Sequence, residues 1–219
     1  MITLEAHGRT VHMDFEDPTD LIAARVLEGQ RFYERDLLED VWTRTRGTTG
    51  VAVDVGAHVG NHTLWFACVC GLHVVAIEPN PAACRQLEAN LARNAPTSVV
   101  VIEAAAGRIA GRGRLVGGQP GNTGTVRVQA ASEGDVPIVA LDDLVYPGPV
   151  RIIKIDVEGS EADVLSGARH TIQEHRPVVY VEAPTETSRD GVAEAMADLG
   201  YQPFGRFCST PTYGFEISP

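Results

Sequence analysis

The segment Val51-Ala52-Val53-Asp54-Val55-Gly56-Ala57-His58-Val59-Gly60-Asn61 runs from an apolar strand through a glycine turn into a helix. That order of elements carries backbone amides close to a ligand, as in nucleotide-binding α/β folds. A dinucleotide fingerprint would read G-x-G-x-x-G, its second glycine making room for a pyrophosphate. Here position 58 is histidine and only Gly56 and Gly60 remain, which disfavours NAD or FAD.

Asp54, two residues before the turn, puts a carboxylate where a pyrophosphate would have to sit. Like charges repel there, whereas S-adenosylmethionine, with its ammonium and sulfonium, is favoured. A second apolar run, His73 to Ile77, ends at Glu78-Pro79-Asn80. Glu78 stands about 20 residues beyond the turn, the place of a ribose-binding acid, and is expected to accept from both ribose hydroxyls.

Further apolar runs, Ser98 to Ile102, Arg151 to Ile155 and Val178 to Val181, alternate with helical patterns. The expectation is an α/β, Rossmann-like fold with a mostly parallel sheet and helices on both faces. Asn80 is placed to cap a helix with Pro81 in its first turn and Leu87 and Leu91 on one face. Ser160 and Asp163 suggest a capping box for one helix bearing Val164, Leu165, Ala168 and Ile172, which Pro177 stops. Residues 1–47 read as a hairpin, turning at His7-Gly8-Arg9, and a helical lid on a single domain spanning 1–219. Gly107 to Pro137, rich in glycine, reads as a hairpin or loop over the ligand-binding edge of the sheet, and Tyr201 to Ile217 as a C-terminal antiparallel hairpin.

The net charge of −11, spread along 219 residues, argues against a nucleic-acid polymer as partner and for a small-molecule substrate. The four cysteines lack metal-type spacing and read as buried free thiols. No uninterrupted apolar run approaches ~18 residues and the N-terminus carries no leader pattern, so no membrane contact and a cytoplasmic location are expected. A homo-oligomer is left open.

The motifs resemble those of the FkbM family of methyltransferases. The family pattern D-x-G-A-N-x-G with a following T is matched by Asp54 to Gly60 and Thr63, and E-P-x-P by Glu78 to Pro81. L-D-D-L is matched by Leu141 to Leu144, K-I-D-V-E-G-x-E by Lys154 to Glu161, and L-x-G-A by Leu165 to Ala168. The strand from Pro177 to Glu182 also looks like the family's ending, so the resemblance runs from about Val51 to Ala183. It implies a class I methyltransferase fold, S-adenosylmethionine as cofactor, and usually O-methylation of a sugar or natural-product hydroxyl. It departs at His58, where the family commonly has asparagine.

Asp156 and Glu182 fall at carboxyl ends of predicted strands, where open parallel sheets place their ligands, and Glu158 follows Asp156 by two residues beside Gly159. They are candidate catalytic residues, as is His58, one of the four being a candidate general base. The expected cofactor contacts are Glu34, Asp54, Gly56, Ala57, His58, Gly60, Asn61, Thr63, Glu78, Pro79, Asn80, Ala104, Ala105 and Asp156. Tyr33-Glu34 enters by resemblance to a pair that precedes the first sheet strand in the family. Asn122 and Thr123 are candidate substrate or cofactor contacts. Lys154 reads equally as a structural ion pair and as a catalytic group, and His62 as a buried structural histidine. Three carboxylates can hold Mg²⁺ or Ca²⁺, but acids at strand ends serve as hydrogen-bond acceptors without one, and no metal is expected. Zinc between His58 and His62 is rejected because His58 lies in the glycine turn. N-methylation of an amine and an NAD-dependent oxidoreductase are the alternatives to O-methylation.

Overall fold

A computed structural model describes residues 1–96, 98–119 and 122–217, without the side chains of 119, 122 and 123. The chain opens with the antiparallel hairpin β1 (Ile2–Ala6) and β2 (Arg9–Met13), then α1 (Leu21–Gly29) and α2 (Arg35–Thr45). The apolar run at Val51 is β3 (Val51–Val55), followed by α3 (Asn61–Leu64), which widens into a π-turn over Trp65–Val69. Next come β4 (His73–Glu78), α4 (Pro81–Asn94) and β5 (Val99–Glu103). Asn80 caps α4 as expected, its side chain accepting from the Ala82 amide with Pro81 in the first turn.

The Gly107 to Pro137 region contributes to a separate four-stranded sheet. Its members are β6 (Ala105–Ala106), β7 (Gly111–Gln119), β8 (Asn122–Ala130) and β9 (Val136–Val139), with β7 and β8 forming the anticipated hairpin. The chain then runs through β10 (Val150–Ile155), α5 (Glu161–Ser166), α6 (Arg169–His175), β11 (Val178–Glu182), α7 (Glu186–Ala197), β12 (Tyr201–Phe207) and β13 (Thr212–Ile217).

The seven-stranded sheet has the order β12-β13-β11-β10-β3-β4-β5. Its five apolar runs pair in parallel and β13 runs antiparallel to β11 and β12. Side-chain alternation divides the interior between two faces. Val51, Val53, Val55, Val75, Ile77, Ile153, Ile155, Val179 and Val181 pack against α5, α6 and α7. Ala52, Val74, Ala76, Ile152 and Tyr180 face a core shared with the N-terminal hairpin, α1, α2 and the π-turn. Strand order reverses between β3 and β10, which opens a crevice at their carboxyl ends.

One expectation is corrected. The helix expected from Ser160 through Ile172 is two helices, and Ser160 makes no side-chain cap. A Cβ at Gly167 would lie 2.1 Å from the Gly107 carbonyl oxygen, so the chain bends there against a neighbouring segment. Asp142, from the L-D-D-L motif, restarts it: its carboxylate accepts from the amides of His170 and Thr171 at 3.0 and 2.8 Å. All four cysteines are free thiols, and among the described residues no helix is long and apolar enough to cross a membrane.

Candidate functional site

The glycine turn at the end of β3 is built by close approach of two backbones. Gly56 has φ +79°, and a Cβ there would stand 1.8 Å from the Asp156 carbonyl oxygen. The amides of Gly56 and Ala57 both donate to Ile77 O, at 2.9 and 3.1 Å, tying the turn to β4. His58 also adopts a left-handed conformation, φ 49°, and this aims its amide at Glu78 Oε2, 2.8 Å away. The Asn80 amide takes the other oxygen, Oε1, at 2.9 Å. Glu78 is thus fixed on the wall of a cleft also lined by Gly56, Ala57, Pro79, Ala104 and Ala105. Burial raises its pKa, which the two amide bonds only partly offset.

Four expected cofactor contacts do not line this cleft: Asp54, Gly60, Thr63 and Asn80. Strand alternation turns Asp54 to the face covered by α3, where it is fully buried and Oδ2 accepts from Thr63 Oγ1 at 2.6 Å. Its Oδ1 lies 3.7 Å from Lys154 Nζ. Gly60 heads α3 beneath Leu87, and Asn80 is spent on capping α4. These residues shape the cleft from behind.

Lys154 is the buried link between that layer and the cleft. Its ammonium donates to Gly56 O at 3.1 Å and lies 3.3 Å from Asp156 Oδ2. Burial favours the neutral amine, but Asp156 and Asp54 outweigh it and hold the pKa above the usual lysine range. The structural reading of Lys154 is therefore the one this geometry supports, with two acids in place of one.

Asp156, Glu158 and Glu182 converge as expected, with carboxylate oxygens within 4.8 Å of one another. Burial pushes Glu182 far above the ordinary carboxylate range, and the neighbouring Asp156 charge adds to this. Burial acts upward on Asp156 too, but the Lys154 charge and the hydrogen bond from Glu182 win and hold it low. Glu182 therefore carries a proton that it donates to ionised Asp156. Lys154 and this proton already balance the pair, so the site is not a bare trio of anions. Glu158 is raised by burial and by Asp156 and, like His58, sits in the left-handed region, at φ 58°.

The opposite wall comes from elements far away in sequence. Leu21 and Ile22 of α1, Tyr33 and Glu34 lie on one side, and Gly124, Val126, Arg127 and Val128 of β8 on another, with Thr210 at the β12–β13 turn. Asn61, expected at the cofactor, lines the cleft and also grips the Tyr33 peptide: Oδ1 accepts from Tyr33 N at 2.9 Å and Nδ2 donates to Tyr33 O at 3.1 Å. The His58 ring lines the cleft and a second groove with Phe15, Asp20 and Gln86. Burial lowers its pKa, so the ring is neutral at neutral pH. The side chains of Asn122 and Thr123 lie outside the described residues. Arg127, Thr210 and the cleft-facing position of His62 had no local signature, because only the packing of β8, the last turn and α3 brings them here.

The family model described as the Methyltransferase FkbM domain matches residues 54–203 of this chain. The hexuronic acid methyltransferase AglP of Haloferax volcanii is 28% identical over 174 residues, which cover 77% of this chain and 69% of that protein. Among solved structures, methyltransferase FkbM from Methylobacillus flagellatus KT superposes with a TM-score of 0.59 at 22% identity, over 77% of this chain but 44% of that one. The present chain thus spans less than half of that relative. Ribosomal protein L11 methylase from Lactobacillus delbrueckii subsp. bulgaricus gives a TM-score of 0.54 at 14% identity, over 84% and 78% of the two chains, a likeness of fold.

Proposed function

The chain belongs to the FkbM methyltransferase family, and from that premise we propose that it uses S-adenosylmethionine to methylate a hydroxyl of a small molecule such as a sugar. The observation that carries this reading is that one cleft, at the carboxyl ends of β4, β10 and β11, holds both the fixed carboxylate of Glu78 and the Asp156–Glu182 pair. Family membership sets aside the NAD-dependent oxidoreductase alternative.

The residues suit the cofactor. Glu78, held by two amides, keeps lone pairs for ribose hydroxyls. Ala104 and Ala105 leave a shallow apolar wall beside it for a flat ring. Bound S-adenosylmethionine would supply an electrophilic methyl group and a neutral thioether leaving group. What the protein must add is alignment of the acceptor and exclusion of water. Asp156 and Glu182, hydrogen-bonded to each other, keep further carboxyl lone pairs on the cleft wall that can orient a polar acceptor. The tyrosine, glutamate and β8 side chains on the far wall close the cleft over it.

The name of the Haloferax relative, a hexuronic acid methyltransferase, supports a hydroxylated sugar acid as one acceptor class. The carboxylate-rich wall also suits an amine, which keeps N-methylation as the second reading. Calorimetry with S-adenosylmethionine, followed by incubation of a panel of sugars and amines with methyl-labelled cofactor and mass spectrometry of the products, tests both. Absence of cofactor binding would end the proposal, and label on nitrogen would move it to the second reading.

A further inference from the structure

Two ionisable side chains on the wall of this cleft take no part in the contacts above. His62, in α3, and Glu34, just ahead of α2, bring Nε2 and Oε2 to 3.2 Å, with side-chain exposures of 8% and 9%. Nε2 is buried and has no hydrogen-bond partner among the described residues. Glu34 is held in the left-handed region at φ 55°, and the Tyr33 peptide before it is gripped at both its N–H and C=O by Asn61. Asn61 and His62 are adjacent in α3, so one helical turn fixes both the imidazole and the backbone that carries the carboxylate facing it. Strained, doubly fixed geometry of this kind marks a prearranged pair.

Asp156, Glu182 and His58 are poorly matched to taking a proton from a hydroxyl. Asp156 is ionised but committed to Lys154 and to the proton of Glu182, and Glu182 is already protonated. The His58 amide is bound to Glu78, and its ring lies between the cleft and the groove beside α4. His62, in contrast, lines the same cleft as Asp156 and Glu182 and is bound to neither among the described contacts.

We propose that His62, oriented by Glu34, receives the proton of the acceptor hydroxyl during methyl transfer. This rests on the methyltransferase reading above. Glu34 accepts a hydrogen bond from Nε2–H, which leaves Nδ1 as the basic nitrogen, the contact tightening once substrate fills the cleft. The acceptor oxygen bonds to the methyl carbon as the carbon–sulfur bond breaks with its electron pair left on sulfur, and the hydroxyl proton passes to the imidazole and then to water. The ring faces Glu34, from the segment before α2, and shares the cleft with Asp156 beyond β10, Lys154 on β10 and Glu182 ending β11; Phe66, at 6.2 Å between ring centroids, is an aromatic neighbour.

The test is the pH dependence of kcat for the wild type, His62→Gln, His62→Ala and Glu34→Gln, with cofactor affinity measured on the same preparations. His62→Gln is expected to lower kcat by about 10²–10³-fold, to abolish the acidic limb of the profile and to leave cofactor affinity nearly unchanged. Imidazole is expected to restore activity to His62→Ala, and Glu34→Gln to shift the acidic limb to lower pH. If the wild type transfers methyl groups while His62→Gln keeps its kcat and acidic limb, or loses only cofactor affinity, the inference is overturned and the methyltransferase reading stands. A wild type that neither binds cofactor nor transfers methyl overturns both. Should the His62 variants fail to fold, an unshifted acidic limb in Glu34→Gln still overturns the inference.

Discussion

The backbone amide of His58 donates to Glu78 Oε2 over 2.8 Å, so the loop after β3 and the end of β4 position each other. The left-handed turn at His58 exists in service of this contact, which sets the orientation of the carboxylate that faces the cleft.

Replacing Glu78 by alanine removes the acceptor for two amides and the proposed ribose contact together. Hydrogen bonds to a charged group contribute about 1.5–3 kcal/mol, so affinity for S-adenosylmethionine should fall by roughly 10–100-fold. Calorimetry measures it, with circular dichroism to confirm that the fold is kept. An unchanged affinity would remove Glu78 from the cofactor site.

Lys154→Met should be among the most destabilising changes in the chain. Lys154 is 3% exposed and Asp54 fully buried, and the substitution leaves that carboxylate without its cation. Breaking a buried pair from one side costs about 3–5 kcal/mol, to be read from the urea midpoint at constant slope. A loss below about 1 kcal/mol, the range of surface pairs, would show that the ion pair is idle.

Glu182 predicts a pH dependence. Its folded-state pKa stands well above the ordinary 4.5, so the folded protein binds a proton that the unfolded chain releases. That contribution is fully present below the unfolded value and is lost as pH rises from there through the raised folded value. Glu182→Gln, which can still donate to Asp156, should therefore raise Tm at pH 8, by about 2–4 °C for each kcal/mol recovered, with the gain shrinking toward pH 4. A gain that is equal at both pH values would show that Glu182 is ionised in the fold.

Gly56→Ala and Gly60→Ala should separate two kinds of glycine. Both have positive φ, at about 1–2 kcal/mol of strain for a side chain. At Gly56 the new Cβ meets the Asp156 carbonyl at 1.8 Å, whereas at Gly60 it meets the end of the Leu87 side chain at 2.6 Å, which can yield. Gly56→Ala is expected to show the larger fall in Tm and to abolish cofactor binding, and Gly60→Ala to keep it. Equal effects would mean that the approach to Asp156 is not what requires glycine.

Much of this architecture was legible in the order of residues. Alternating apolar runs such as Val51 to Val55 and Val178 to Val181 encode burial of both faces of a strand, and that is a local property of the chain. Glu78 could be placed because the strand, turn and acid follow one another within about 30 residues, one supersecondary unit. The family motifs likewise placed Asp156 and Glu182 at strand ends, with Glu158 just beyond Asp156, where the structure has them.

What the order of residues left undecided is where side chains point once separate units pack. Asp54 belongs to the fingerprint, yet a one-residue difference of face sends it behind the cleft to Lys154. The capping pattern at Ser160 looked like one helix, but the Gly107 carbonyl approaches Gly167 and Asp142 starts a second. The meetings of Glu34 with His62, Asn61 with Tyr33 and Asp156 with Glu182 join elements whose neighbourhood is set by crossover connections and by packing of the N-terminal helices. Local periodicity records how much of a residue is buried; only the assembled sheet and its cover determine against what.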